Sequence, residues 1–177
     1  MQDQNMNQER LNQILFSVRT QVFVILDGAL IPELRMKLYQ MEPPHVCLYR
    51  GELEPDIAEV APYLIKLGLD TNFTNWIMDE CWGKNHGIFL HCPYSQVEVR
   101  RHFRSLLTVH DEDGNPMLFR FYDPRVFRTF LPTCNHAELE AFFGNVTNYF
   151  VEGEGKESIV NYSLEGGKLK TEDFDLK

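Results

Sequence analysis

Four residues with useful chemistry each follow a run that reads as a β-strand: Asp27 after "QVFVIL", Arg50 after "HVCLY", His91 within "GIFLHC" and Asp123 after "MLFRFY". Strand ends in α/β sheets are where side chains meet ligands. Two carboxylates and an imidazole brought together there would make an acid–base site. Asp27, His91 and Asp123 are therefore the candidates for a small hydrolase-like or ligand-binding enzyme. The other chemistry-bearing residues are arginines. Arg100, Arg101 and Arg104 crowd one short segment, and Arg120, Arg125 and Arg128 crowd another. A guanidinium fork binds carboxylates bidentately and is desolvated more readily than an ammonium.

Asp123-Pro124 also has a structural reading, with aspartate as a helix N-cap and proline as the first helical residue. A buried, unpaired guanidinium would cost several kcal/mol. Arg120, on a strand face, is thus expected to pair internally, with Asp27 or Asp123. Arg125 and Arg128 lie one helical turn apart and are expected to face outward.

Catalytic and cofactor signatures are absent. There is no phosphate-binding Gly-Lys-Ser/Thr loop, no G-x-G-x-x-G, no H-E-x-x-H and no G-x-S-x-G. Cys47, Cys81, Cys92 and Cys134 are scattered, with no C-x-x-C pair, and His91-Cys92 and Cys134-x-His136 match no standard zinc spacing. No cofactor and no metal are expected, and the cysteines read as buried thiols.

The elements that must position these residues follow from periodicity. Leu11, Ile14, Leu15 and Val18 mark an amphipathic helix. Residues 21–26, 45–49 and 87–92 read as strands, the first buried on both faces. Residues 31–40 read as a helix. Pro62 separates a short helix from a strand or turn, and Phe73, Trp76, Ile77 and Cys81 restore helical spacing. Residues 95–107 are the clearest helix. Val99, Phe103, Leu106 and Leu107 fall within about 100° of its wheel, and Arg100, Arg101 and Arg104 within the next 100° or so. "LLTVH", "DEDGN" and "MLFRFYD" form a hairpin. Short helices at 125–131 and 135–143 and a strand at 146–151 follow. Residues 152–177 hold seven acidic residues, four lysines and four glycines. They suggest one hairpin about Gly166-Gly167 and a frayed end. The fold expected is a single α/β domain, a mixed β-sheet flanked by helices with a short C-terminal β-hairpin or tail. Its parts are an N-terminal helix (1–19), the α/β body (20–151) and a short acidic extension (152–177).

The chain of 177 residues is long enough for one self-sufficient core. A formal charge of −9 argues against nucleic acid and anionic membrane as partners. No stretch approaches the roughly 20 apolar residues of a membrane span. The polar start "MQDQNMNQER" has no apolar signal core, so a cytoplasmic protein is expected.

In series, "VFVILDGAL", "LYRGEL", "APYLIKL", "CWGKNHGIFL", "VRRHFRSLLTV", "GNPMLFRFYDPRVFRTFLPTC" and "FFGNV" resemble the Tap/TEC adaptor proteins of bacterial type VI secretion, over residues 20–146 or so. These are effector chaperones that carry a domain of unknown function. The resemblance implies a non-enzymatic protein that holds a secreted effector in the producing cell and helps load it onto the VgrG spike. The motif residues it carries over are Asp27, Gly28, Arg50, Gly51, Trp82, Gly83, Arg100, Arg101, Arg104, Arg120, Asp123, Pro124 and Arg125. Of the arginines, Arg100, Arg101, Arg104, Arg125 and Arg128 are the expected partner contacts. Asp27, Arg50, Trp82, Arg120, Asp123 and Pro124 are expected to be structural. Phe103 and Phe127 replace the aliphatic residues common at those positions. Family members often continue into a second, cargo-selecting lobe, where this chain has only its acidic extension.

Overall fold

The computed structural model describes residues 2–154 and 157–176. Its first helix, α1, spans Gln2–Phe16 and buries Leu11 and Leu15. It ends before Val18, which is exposed. Strand β1 (Gln21–Asp27) follows, then α2 (Leu34–Met41), β2 (His45–Cys47), α3 (Pro55–Val60) and β3 (Pro62–Leu67). Pro62 opens β3, where a missing N–H is tolerated. Helix α4 (Asn72–Trp76) runs into a π-helical turn at Ile77–Cys81, and β4 (Gly87–Cys92) and α5 (Gln96–Leu106) come next. A ribbon of β5 (Thr108–His110) and β6 (Pro116–Leu118) leads to α6 (Pro124–Phe130), a 3-10 turn (Leu131–Thr133) and α7 (His136–Phe143). Strands β7 (Asn148–Glu152), β8 (Ser158–Glu165) and β9 (Lys168–Asp175) complete the chain.

Among the described residues seven strands form one sheet in the order β2-β3-β1-β4-β7-β8-β9, and β5-β6 stand apart as a ribbon. The α/β class and the C-terminal hairpin agree with the sequence reading. Strand direction differs, since every pairing is antiparallel rather than mixed. A continuous apolar run reports burial on two faces, and helices on both faces bury an antiparallel strand as well as a parallel one. In β1, Phe23 and Ile25 pack with Val99, Phe103, Phe127 and Phe142 from α5, α6 and α7. Val22, Val24 and Leu26 pack with Leu11, Leu34, Phe73 and Trp76 from α1, α2 and α4.

Local signals place the helices as read. Ser95 and Glu98 form a capping box on α5, and Asn135 and Glu138 form one on α7. The expected strand "MLFRFYD" stops at Leu118; Phe119 instead bonds back to the Leu107 carbonyl at 2.8 Å. Residues 158–175 form a paired hairpin turning at Gly166 and Gly167, both with positive φ (57° and 75°). The hairpin adds to β7, so the acidic extension continues the main sheet. Its end is not frayed: Leu176 is 1% exposed and its N–H bonds the Glu157 carbonyl.

Candidate functional site

Motifs far apart in the chain meet at the end of β1. Asp27 is buried, and its Oδ1 accepts the Ala29 N–H at 3.0 Å, which turns the chain toward α2. Its Oδ2 receives the Arg120 guanidinium, so Asp27 is the partner among the two carboxylates the sequence left open. Gly28 has no room for a side chain, because a Cβ there would lie 2.4 Å from the Ala61 carbonyl oxygen. Burial pulls the Arg120 guanidinium down, but the hydrogen bond and charge of Asp27 hold it above its ordinary value.

Asp123 caps α6 and Pro124 is its first residue. Oδ1 accepts the Arg125 N–H at 2.9 Å and Nε at 3.0 Å, and Oδ2 accepts Nη2 at 2.7 Å. The fork is bidentate. Burial acts to raise the Asp123 carboxyl, yet Arg125's hydrogen bonds hold it below the usual carboxylate range. The phenols of Tyr49 and Tyr122 lie near the Asp27–Arg120 pair. Burial and then the Asp27 charge drive the Tyr122 phenol well up, so it stays protonated.

The segment Trp82–His86 closes the same end. The Asp27 N–H bonds the His86 carbonyl at 2.9 Å, and Trp82 packs on Phe89 at 6.1 Å between centroids. Under this segment lies Glu152, buried, whose Oε2 accepts the Asn85 N–H at 2.9 Å. Burial pushes its carboxyl up to about 7, although the Asn85 and Gly83 N–H groups and Arg128 act against it. The sequence reading missed Glu152. The signal was there: Asn148, Phe150 and Glu152 alternate onto one strand face, but the acidic run that follows suggested solvent.

The arginines divide differently from the expectation. Arg104 is turned inward, with Nε on the Leu48 carbonyl at 3.1 Å and Nη2 on those of Cys47 (3.1 Å) and Tyr49 (2.7 Å). It ties α5 to the sheet edge. Arg128 is likewise half-buried and donates to the Glu152 carbonyl. A helical wheel gives angle about one axis, and cannot report that a backbone segment comes to meet the side chain. Arg125 grips Asp123 while its side chain stays 61% exposed. Arg101 is exposed on α5 with Glu98 nearby. Arg100 is partly exposed and Arg50 exposed, and among the described residues neither has a carboxylate partner.

His91 does not join Asp27 and Asp123. It pairs in register with Val22, whereas Gly87 pairs with Leu26, so it sits at the opposite end of β4, about 16 Å from Asp27 along the strands. Its Nε2 donates to the Leu15 carbonyl at 2.7 Å and its ring packs on Phe150 at 4.6 Å. Burial lowers its proton affinity, so it is a neutral core histidine. The Asp27–His91–Asp123 acid–base site is therefore not assembled. Among the described residues no group of three or more His, Cys, Asp or Glu side chains is arranged to hold a metal ion. No described helix is long and apolar enough to cross a membrane.

An antiparallel sheet covered on both faces, with a mutually paired carboxylate–guanidinium network closing one end, defines a rigid α/β scaffold. The chain matches the model of the family described as domain of unknown function DUF4123 over residues 22–141, more than half its length, and belongs to that family. The match includes Asp27, Arg120, Asp123 and Arg125. No curated protein and no solved structure matches the chain.

Proposed function

We propose that this protein is a non-enzymatic adaptor of a bacterial type VI secretion system, of the Tap/TEC kind, which binds a secreted effector in the cytoplasm and helps load it onto the VgrG spike. The observation that carries this reading is that both aspartates of the shared motif are taken up in ion pairs. Asp27 and Asp123 each hold a guanidinium, and His91 is at the far end of the sheet. Residues so paired serve a scaffold, since a general acid or base needs a free position toward substrate. Side chains suited to protein contact lie outside that network. Val109, Met117 and Leu118 are exposed on the β5-β6 ribbon, and Met36 and Tyr39 on α2.

Co-expression tests the reading. The tagged chain is produced with the effector and the spike protein encoded beside it, and complexes are sized by light scattering after gel filtration. A stable complex with the effector is expected. Failure to bind either protein overturns the proposal.

A further inference from the structure

On α5, Val97, Arg100, Arg101 and Arg104 recur at i, i+3, i+4 and i+7 and form one stripe, flanking the face that buries Val99 and Phe103. Arg104 anchors that stripe to the carbonyls of Cys47, Leu48 and Tyr49. The bond to Tyr49 brings Arg50, the next residue in the chain, toward Arg104. Arg100 and Arg50 both act on Arg104: burial first, then Arg100, and Arg50 more weakly, shift its guanidinium below its ordinary value, with Cys47 opposing.

The chain carries 26 acidic residues against 17 Lys and Arg. Yet among the described residues Arg50, Arg100 and Arg104 have no carboxylate partner. Like charges one helical turn apart are destabilising. Among the described residues no carboxylate offsets that repulsion, and a carboxylate brought by a partner would do so. Two features favour a protein over a nucleic acid. The net charge of −9 repels a polyphosphate, which needs many simultaneous cationic contacts. The stripe also presents Val97, 56% exposed, and apolar contact suits an amphipathic peptide rather than a phosphate backbone.

We propose that the outer face of α5, together with Arg50, is a docking surface for an acidic amphipathic segment of a partner protein, with partner carboxylates on Arg50 and Arg100 and apolar side chains on Val97. This rests on the adaptor reading and names the chemistry of the surface it uses.

The probe is a fluorescein-labelled helical peptide of about 16 residues in a Leu-Glu-Glu-Leu repeat, compared with the same peptide carrying Gln for Glu and with a duplex DNA of similar length. Binding is followed by anisotropy from about 50 to 300 mM NaCl. The acidic peptide is expected to bind, to weaken with salt, and to lose about tenfold or more in affinity to the Arg50→Glu/Arg100→Glu variant. The Gln peptide is expected not to bind. Arg10→Glu, at an exposed position of α1, should leave binding unchanged. An unchanged melting temperature of the double variant establishes that it folds. Equal binding of the acidic peptide to wild type and double variant, equal binding of the Gln peptide, or tighter binding of DNA overturns the inference. If the effector co-purifies undiminished with the double variant, this face is not the docking site and the adaptor reading stands. If the effector fails to co-purify with wild type, the adaptor reading itself falls.

Discussion

Asp27 and Asp123 each meet an arginine, but the two pairs carry different weight. Both carboxylates are buried, but the Arg120 side chain is 40% exposed against 61% for Arg125, so the Asp27 pair is the drier one and removing Arg120 strands its carboxylate with less help from water. Arg120→Ala is expected to lower unfolding free energy by about 3 kcal/mol in urea titration. Arg125→Ala, whose guanidinium is largely solvated, should lower it by about 1 kcal/mol or less. Equal losses would show that burial does not set the difference. Glu152 makes a pH prediction. Its carboxyl is shifted from 4.5 to about 7 in the folded state, so the fold holds that proton more tightly than the unfolded chain does. Its contribution to stability is full below about 4.5 and is lost as pH rises through about 7. Glu152→Gln keeps an acceptor for the Asn85 N–H without the buried charge. It should raise stability by roughly 2–3 kcal/mol at pH 8 and change it little at pH 4.5. A gain of the same size at both pH values would refute this account.

At the scale of elements, Arg104 acts as a clasp between α5 and the end of β2. An edge strand of three residues has few hydrogen bonds of its own, and the guanidinium adds bonds to three successive carbonyls at its end. Arg104→Ala is expected to cost about 2 kcal/mol and to speed amide exchange in residues 45–49 while leaving β1 protected. If exchange at β2 is unaffected, the clasp is not what holds that edge. The neighbouring cap is legible from sequence because it is local: Asp123, Pro124 and the Arg125 N–H are consecutive. The clasp was not legible, because it joins residues more than fifty positions apart.

For the whole molecule, the two sheet edges are protected in different ways. β2 is short and clasped, whereas β9 has eight residues and carries Lys168, Lys170, Glu172, Asp173 and Asp175. Charges along an open edge discourage pairing with other chains. The composition that suggested a loose tail is thus that of an exposed edge strand. The hairpin also contributes to the core, since Tyr162 packs on Phe127 at 5.3 Å between ring centroids. Ending the chain at Glu154 should bare β7 and that aromatic cluster. The expected outcome is loss of soluble, cooperatively melting protein; a truncated chain that melts cooperatively at the same temperature would show the hairpin to be dispensable.

What the sequence determined by itself was whatever depends on neighbours in the chain. Val22 to Leu26 announced a strand buried on both faces. Val99, Phe103, Leu106 and Leu107 announced a helix, and Gly166-Gly167 a turn. Residues Leu118 to Pro132, read in series with the other motifs, announced a family. Only the tertiary structure decided strand direction, the choice of Asp27 for Arg120, the inward turn of Arg104 and Arg128, the distance of His91 from both aspartates and the burial of Glu152. The reason is physical. Periodicity and capping are set over one or two turns of backbone, whereas Asp27 and Arg120 are 93 residues apart and meet only because the sheet and its covering helices bring their ends together.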